Sequence, residues 1–395
     1  MIKHLLKLVW NRKRANALIV GEIFVSFLVI FAVLTGAITL IGGWRAPIGF
    51  DYRNVWDVRM DFDNAQEQTS PEMATTVMRM IAEVRAMPEV ESAAISTTPP
   101  YSFSTSEGTR TINGREVSVL FDDVTDDFAE VMKLKVVRGR WFNATDDAAQ
   151  QQPLVLDTNA ARDLFGEADP VGQKWELDEN QFGVVVGVVS SYRKSGEVSM
   201  PANMMFRRSA PNGRYGRLGN HILVRLRPGT PAVFEEKLAA RLHSVAPNVS
   251  FRVRHMELMR DSMVRTRLAP IIIGGIVGVF LISMVALGLT GVLWQNVTTR
   301  TRELGLRRAM GASGGAVHRQ ILGEVALLAT VALLVGVIVV AQLPILGAFS
   351  IVTPSSFTAG ILGALATIYA LTVLCGLYPS WLASRLQPAD ALRYE

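Results

Sequence analysis

One stretch decides most of what this chain can become. Leu268 to Trp294 runs for 27 residues without a charged side chain. About 20 apolar residues are enough for a helix to cross a bilayer, and a run this long has no good place in water. Three further runs share the property. Ala17–Ile41 carries one charge, Glu22; the third extends from about Val325 to near Phe349; Phe357–Trp381 is uncharged. The first run is about twice a signal-peptide core and has no clean small-residue cleavage site after it, so it reads as an uncleaved anchor. The spacing predicts spans over 17–41, 268–294, 321–349 and 357–381, with residues 42–267 as one large block between the first two.

Composition then closes off other classes. At 49% hydrophobic residues the chain is not disordered, and with Cys375 as its only cysteine it is not a disulfide scaffold. The charge is unevenly placed. Residues 42–267 hold 28 Lys/Arg and 30 Asp/Glu, whereas the remainder holds 12 and 5. The basic excess therefore flanks the apolar runs, which argues for a membrane and against nucleic acid as a partner. Lys3, Lys7, Arg12, Lys13 and Arg14 precede the first run; Arg300, Arg302, Arg307, Arg308 and Arg319 lie between the second and third; Arg385 and Arg393 follow the fourth. The 350–356 loop has no charge. The positive-inside rule puts both termini in the cytoplasm and 42–267 outside. Within residues 1–16, Ile2, Leu5, Leu6, Val9 and Trp10 recur at helical spacing, which predicts an interfacial helix on the inner membrane surface.

The outer block shows one grammar twice. A strand at 54–61 leads to Ser70-Pro71-Glu72, a helix-start signal, then to Pro88 and a strand at Val90–Ser96. A strand at 221–227 leads to Thr230-Pro231, a helix to about His243, Pro247 and a strand at Val249–His255. This reads as a β-α-β repeat. Between the two copies, about 98–218, a mostly-β insertion is expected, with strands at 117–121, 134–137, 154–156, 182–189 and 204–207 and a helix at Thr158–Phe165.

Catalytic grammar is missing. The five histidines form no metal-ligand motif, and there is neither a nucleophile elbow nor a phosphate-binding Gly-rich loop ending in Lys-Ser/Thr. Asp122, Asp123, Asp126 and Asp127 lack EF-hand spacing and read as a solvated turn. Glu22 and Glu324 lie within one or two turns of the cytoplasmic ends of their spans, too shallow for a proton relay.

The richest segment is Thr299–Glu324. It carries Arg300, Glu303, Leu304, Gly305, Leu306, Arg308, Ala309, Gly311, Ala312 and Ser313, and the C-terminus carries Ala383, Arg385, Pro388, Ala391, Leu392 and Arg393. These residues resemble the signature after the second span, and the tail, of the FtsX-like permease family, the membrane subunits of MacB-type ABC transporters. Gly314-Gly315 departs from the charged or polar residues common there. The resemblance implies a four-span α-helical membrane protein with an extracytoplasmic α+β domain. It implies a cytoplasmic coupling loop at 295–320, a tail at 382–395 and residence in the bacterial inner membrane.

The site residues it implies are Glu303, Arg307, Arg308, Ala309, Met310, Gly311 and Ala312, docking on a separate ABC ATPase present in two copies. ATP and Mg would be bound by that partner, leaving this chain without a cofactor, metal or catalytic residue. A second permease, identical or related, would complete a dimer, with a periplasmic adaptor and outer-membrane channel as further partners. Because the chain starts almost at its first span, the ATPase is expected on another chain. The implied function is export or extraction of a substrate from the periplasmic side. The alternative is an FtsX-like scaffold that activates cell-wall hydrolases or senses antimicrobial peptides. A membrane-anchored extracellular enzyme is a third, weaker reading.

Overall fold

A computed structural model describes residues 13–62, 71–112, 115–178, 181–199, 201–209, 218–299, 310, 314–346 and 352–384. The expected interfacial helix falls almost wholly outside these residues, as does most of the 382–395 tail. The chain divides into a helical unit, Met1–Gly42 with Leu268–Glu395, and a sheet unit, Gly43–Arg267.

Among the described residues, four helices are long and apolar enough to cross a membrane. They lie within α1 (Lys13–Arg45), α6 (Met256–Thr299), α7 (Gly314–Gln342) and α8 (Pro354–Ser384). The helical core is built from Ile23, Phe27 and Phe31 of α1, Val285 and Leu289 of α6, Ala329 and Leu333 of α7, and Ala364 and Ile368 of α8. Small residues set the close approaches. A Cβ at Gly336 would enter the Phe27 ring, and one at Gly360 would collide with Thr35. Ile272, Ile273, Ile276, Phe280 and Leu287 of α6 are exposed within the chain, the surface a lipid or another helix covers.

None of the four helices keeps the bounds of its predicted span, and two of the differences stand out. The third helix stops at Gln342 rather than 349, because Pro344 cannot donate a helical hydrogen bond and restricts the residue before it. The chain turns instead, with Leu346 N on Gln342 O. The second helix begins at Met256, twelve residues before the apolar run, and carries Pro270 inside it.

Among the described residues the sheet unit has eleven strands: β1 (Val55–Asp61), β2 (Val90–Ser96), β3 (Ser106–Ile112), β4 (Arg115–Val124), β5 (Val136–Gly139), β6 (Gln152–Asp157), β7 (Lys174–Asp178), β8 (Gln181–Val189), β9 (Met204–Arg208), β10 (His221–Leu226) and β11 (Ser250–His255). The path is β11-β1-β10-β2-β4-β9-β6-β8-β5, with β3 on β4 and β7 on β8. Its helices are α2 (Pro71–Arg85), α3 (Phe128–Met132), α4 (Thr158–Phe165) and α5 (Phe234–Val245). Trp56, Val58 and Met60 of β1 alternate with Asp57 and Arg59, and Ile222 and Val224 of β10 follow the same period. That apolar face packs on Met80, Ile81 and Val84 of α2 and on Phe234, Leu238 and Leu242 of α5.

The Thr230-Pro231 signal opens a turn, not the helix. Thr230 Oγ1 donates to Arg227 O, Phe234 N bonds Pro231 O, and α5 begins at Phe234. The insertion has its own cluster of Leu154, Leu156, Val185 and Met205. It is nevertheless part of one sheet, joined to the repeat through the pair Ser96↔Val124.

Candidate functional site

The proposed docking segment joins α6 to α7. Glu303, Arg307, Arg308, Ala309, Gly311 and Ala312 lie outside the described residues. Met310 sits in a turn and is 74% exposed. A methionine so exposed between two helices is a flexible apolar contact free to meet another surface.

The sheet unit holds a second concentration of chemistry, and it corrects the reading of the four aspartates as a solvated turn. Each carboxylate has its own partner. Asp122, fully buried, accepts Ser96 Oγ at 2.6 Å and the backbone N–H groups of Thr97 and Thr98 at 2.9 and 2.8 Å. Asp123 takes a two-pronged Arg207 at 2.7 Å, Asp126 takes Arg208 at 2.7 and 2.8 Å, and Asp127 takes Arg85. Strand β4 and the turn after it aim these side chains in different directions, so they do not converge on one ion. Among the described residues no group of three potential metal ligands converges.

Beside Asp122 lies Lys194, 5% exposed, whose Nζ donates to Ser102 Oγ at 3.2 Å and to Ser104 O. Burial lowers the Lys194 ammonium to about 8, with Asp122 opposing the shift, and burial raises the Asp122 carboxyl. A lysine next to a serine suggests a nucleophile, but the geometry opposes it. Ser102 gives its own proton to Pro99 O at 2.7 Å, so it does not offer that proton to the amine.

The neighbouring Arg193 is 2% exposed. Its guanidinium donates to Gly43 O at 2.5 Å, Ala46 O at 3.3 Å, Glu197 O at 3.2 Å and Ser199 O. Burial lowers its pKa, while Glu197 opposes the shift. Glu197 accepts Arg260 Nε at 2.9 Å and Tyr101 Oη at 3.4 Å. No sequence pattern announced these residues. The nearest signal was the pair Arg193-Lys194 just before Gly196, in a segment flanked by apolar strands.

A groove of about 550 Å³ runs between α2, α3 and the Trp141–Ala144 segment, walled by Met78, Ile81, Glu130 and Trp141. Arg85 and Asp127 pair at its wall.

The fold is that of a membrane protein with four spans and one large mixed-sheet unit set between the first and second. Residues 25–241 match the family described as MacB-like periplasmic core domain, and residues 275–388 match the FtsX-like permease C-terminal family. The chain belongs to the family of MacB-like, FtsX-like ABC transporter permeases. It is 28% identical over 322 residues to the macrolide export ATP-binding/permease protein MacB of Burkholderia lata, covering 78% of this chain and 46% of that protein. Against the protein of the same name from Neisseria gonorrhoeae the identity is 27% over 324 residues, with 76% and 47% covered. The chain spans about half the length of the curated relatives it matches. The periplasmic region of MacB from Actinobacillus actinomycetemcomitans superimposes with a TM-score of 0.39 at 15% identity, covering 54% of this chain and 93% of that one. The extracellular domain of the noncanonic ABC-type transporter YknZ gives 0.34 at 15%, with 50% and 100% covered.

Proposed function

We propose that this chain is the transmembrane subunit of an ABC transporter and converts ATP hydrolysis by a separate ATPase subunit into movement of its sheet unit. The observation that carries the reading is the order of parts along one chain. A MacB-like core domain precedes an FtsX-like permease segment, and the Arg300–Ser313 signature falls between the second and third apolar helices. Glu303, Arg307, Arg308, Ala309, Met310, Gly311 and Ala312 form the docking surface in this reading, and the 74% exposure of Met310 supports it. The arginine distribution supports a bacterial inner-membrane topology with this loop and both termini cytoplasmic and the sheet unit periplasmic. The chain pairs with a second permease and handles its substrate on the periplasmic side, for export or extraction.

The test is purification of the tagged chain from its native membrane in mild detergent. A stoichiometric P-loop ATPase is the expected companion, and a co-purifying related permease would show an asymmetric dimer. If no ATPase accompanies the chain under any nucleotide condition, the transporter reading falls.

A further inference from the structure

Residues 191–199 belong to the insertion, yet they contact both the end of α1 and the start of α6. The last turn of α1 leaves carbonyls without intrahelical donors, and its end is electronegative. Arg193 donates to Gly43 O in that turn, which also accepts Ala46 N, and to Ala46 O just past the helix, about 150 residues away in the chain. Four residues on, Glu197 takes Arg260 from the start of α6. The Arg260 guanidinium also lies 5.6 Å from the Trp44 ring and 5.3 Å from the Tyr52 ring, so the two termini share one cation.

The backbone is shaped for this contact. A Cβ at Gly43 would come within 2.7 Å of Glu197 O and 2.9 Å of Arg193 Nη2. Gly49 has φ +87°, and a Cβ there would collide with Ser191 O. On the other side Tyr101 N donates to Lys194 O at 2.9 Å, and Phe50 packs on Tyr192 at 5.1 Å between ring centres.

An arginine on carbonyls commonly does no more than close its own loop. Here only Glu197 O and Ser199 O are local. The other acceptors and the Arg260 partner come from the two ends of the 43–267 unit.

We propose that residues 191–199 are a clasp, with Arg193 and Glu197 as its jaws, that makes the end of α1, the start of α6 and the insertion move as one body. Displacement of either helix end then reaches the insertion directly, without passing through the β-α-β repeat. Arg193, Glu197 and Arg260 are positioning residues in this scheme. Its use in transport rests on the coupling reading above; the one-body claim does not.

The test uses the full chain in lipid nanodiscs, as wild type, Glu197→Gln, Arg260→Gln and the swapped pair Glu197→Arg with Arg260→Glu. Hydrogen exchange is read at the amides of Ala46 and Arg193, which donate to Gly43 O and Ile48 O. Each single variant is expected to speed exchange at both amides at least tenfold, and the swap to restore it. Unchanged exchange, or a rise at one amide alone, overturns the clasp. In cells, the single variants are expected to keep ATP hydrolysis and lose at least tenfold of transport. Faster exchange with intact transport would leave the clasp a purely structural contact and overturn its role in movement, while the transporter reading stands. If the wild-type chain proves to have no ATPase, the transporter reading falls, and the exchange measurements still decide whether the three parts move together.

Discussion

Ser96 donates its hydroxyl to Asp122 at 2.6 Å, immediately beside Ser96↔Val124, the single register pair that joins the repeat to the insertion. The sheet pairing at the seam is thus one register pair, reinforced by the buried carboxylate, by Ile95 N on Thr125 Oγ1 and by Arg225 Nε on Val131 O. Replacing Asp122 with Ala removes the acceptor for three donors and the counter-charge of Lys194. Losing one partner of such a buried charged network costs about 3–5 kcal/mol. Asp122→Asn keeps an acceptor and is expected to cost about 1–2 kcal/mol. Urea unfolding of the full chain in detergent, followed by tryptophan fluorescence, separates the two; equal losses would show that charge plays no part.

Lys194 gives the sheet unit a pH signature. Its pKa falls from 10.5 in the unfolded chain to about 8 in the fold. Between those values the unfolded state holds more protons, so stability rises with pH across that window. Below about pH 8 both states are protonated and the burial cost is fully present. The rise amounts to at most about 3–4 kcal/mol. Unfolding midpoints at pH 7.5 and pH 10 should differ in the wild type and converge in Lys194→Met. A wild type whose stability falls across this range would contradict the assignment.

In the helical unit, Gly336 accommodates the Phe27 ring. Gly336→Val is expected to lower the stability of the detergent-solubilised protein by about 1–3 kcal/mol through overpacking. Phe27→Ala placed in the same chain should recover part of that loss, because it removes the ring the new methyls strike. Additive effects of the two changes in thermal unfolding would show that they do not meet.

In the loop between α6 and α7, Met310→Asp is expected to leave membrane insertion and protein level unchanged. It should reduce ATP-driven function at least tenfold, a loss of about 1.4 kcal/mol or more in coupling. Quantitative immunoblotting of membranes alongside a transport assay checks both halves. Full function in the variant would remove Met310 from the docking surface.

Several elements were legible because local chemistry and tertiary context agree. Asp157 caps α4 through Ala160 N at 2.8 Å, and the helix occupies the expected Thr158–Phe165. β2 likewise spans Val90–Ser96, whose apolar residues are buried. Strands β3 and β7 were not foreseen. Ser-Glu-Gly-Thr-Arg-Thr-Ile has one apolar residue and no alternation to read, whereas Lys-Trp-Glu-Leu-Asp does alternate, with Trp175 and Leu177 packed on the insertion's cluster, but is only five residues long; both pair at the side of the main path. The buried charges were hidden for a different reason. Nothing local distinguishes Arg193 from a surface arginine, because its acceptors at Gly43 and Ala46 become neighbours only after the sheet has closed.

The insertion leaves the repeat after Ser96 and returns at His221, and these two residues are direct partners across β2 and β10. The doorway is therefore one strand-spacing wide. A short hairpin turn would bridge it, and so would any other lobe whose ends lie equally close. The neck of the insertion is therefore held by the same ladder that orders the repeat, and its two ends cannot part without breaking the β2–β10 pairing.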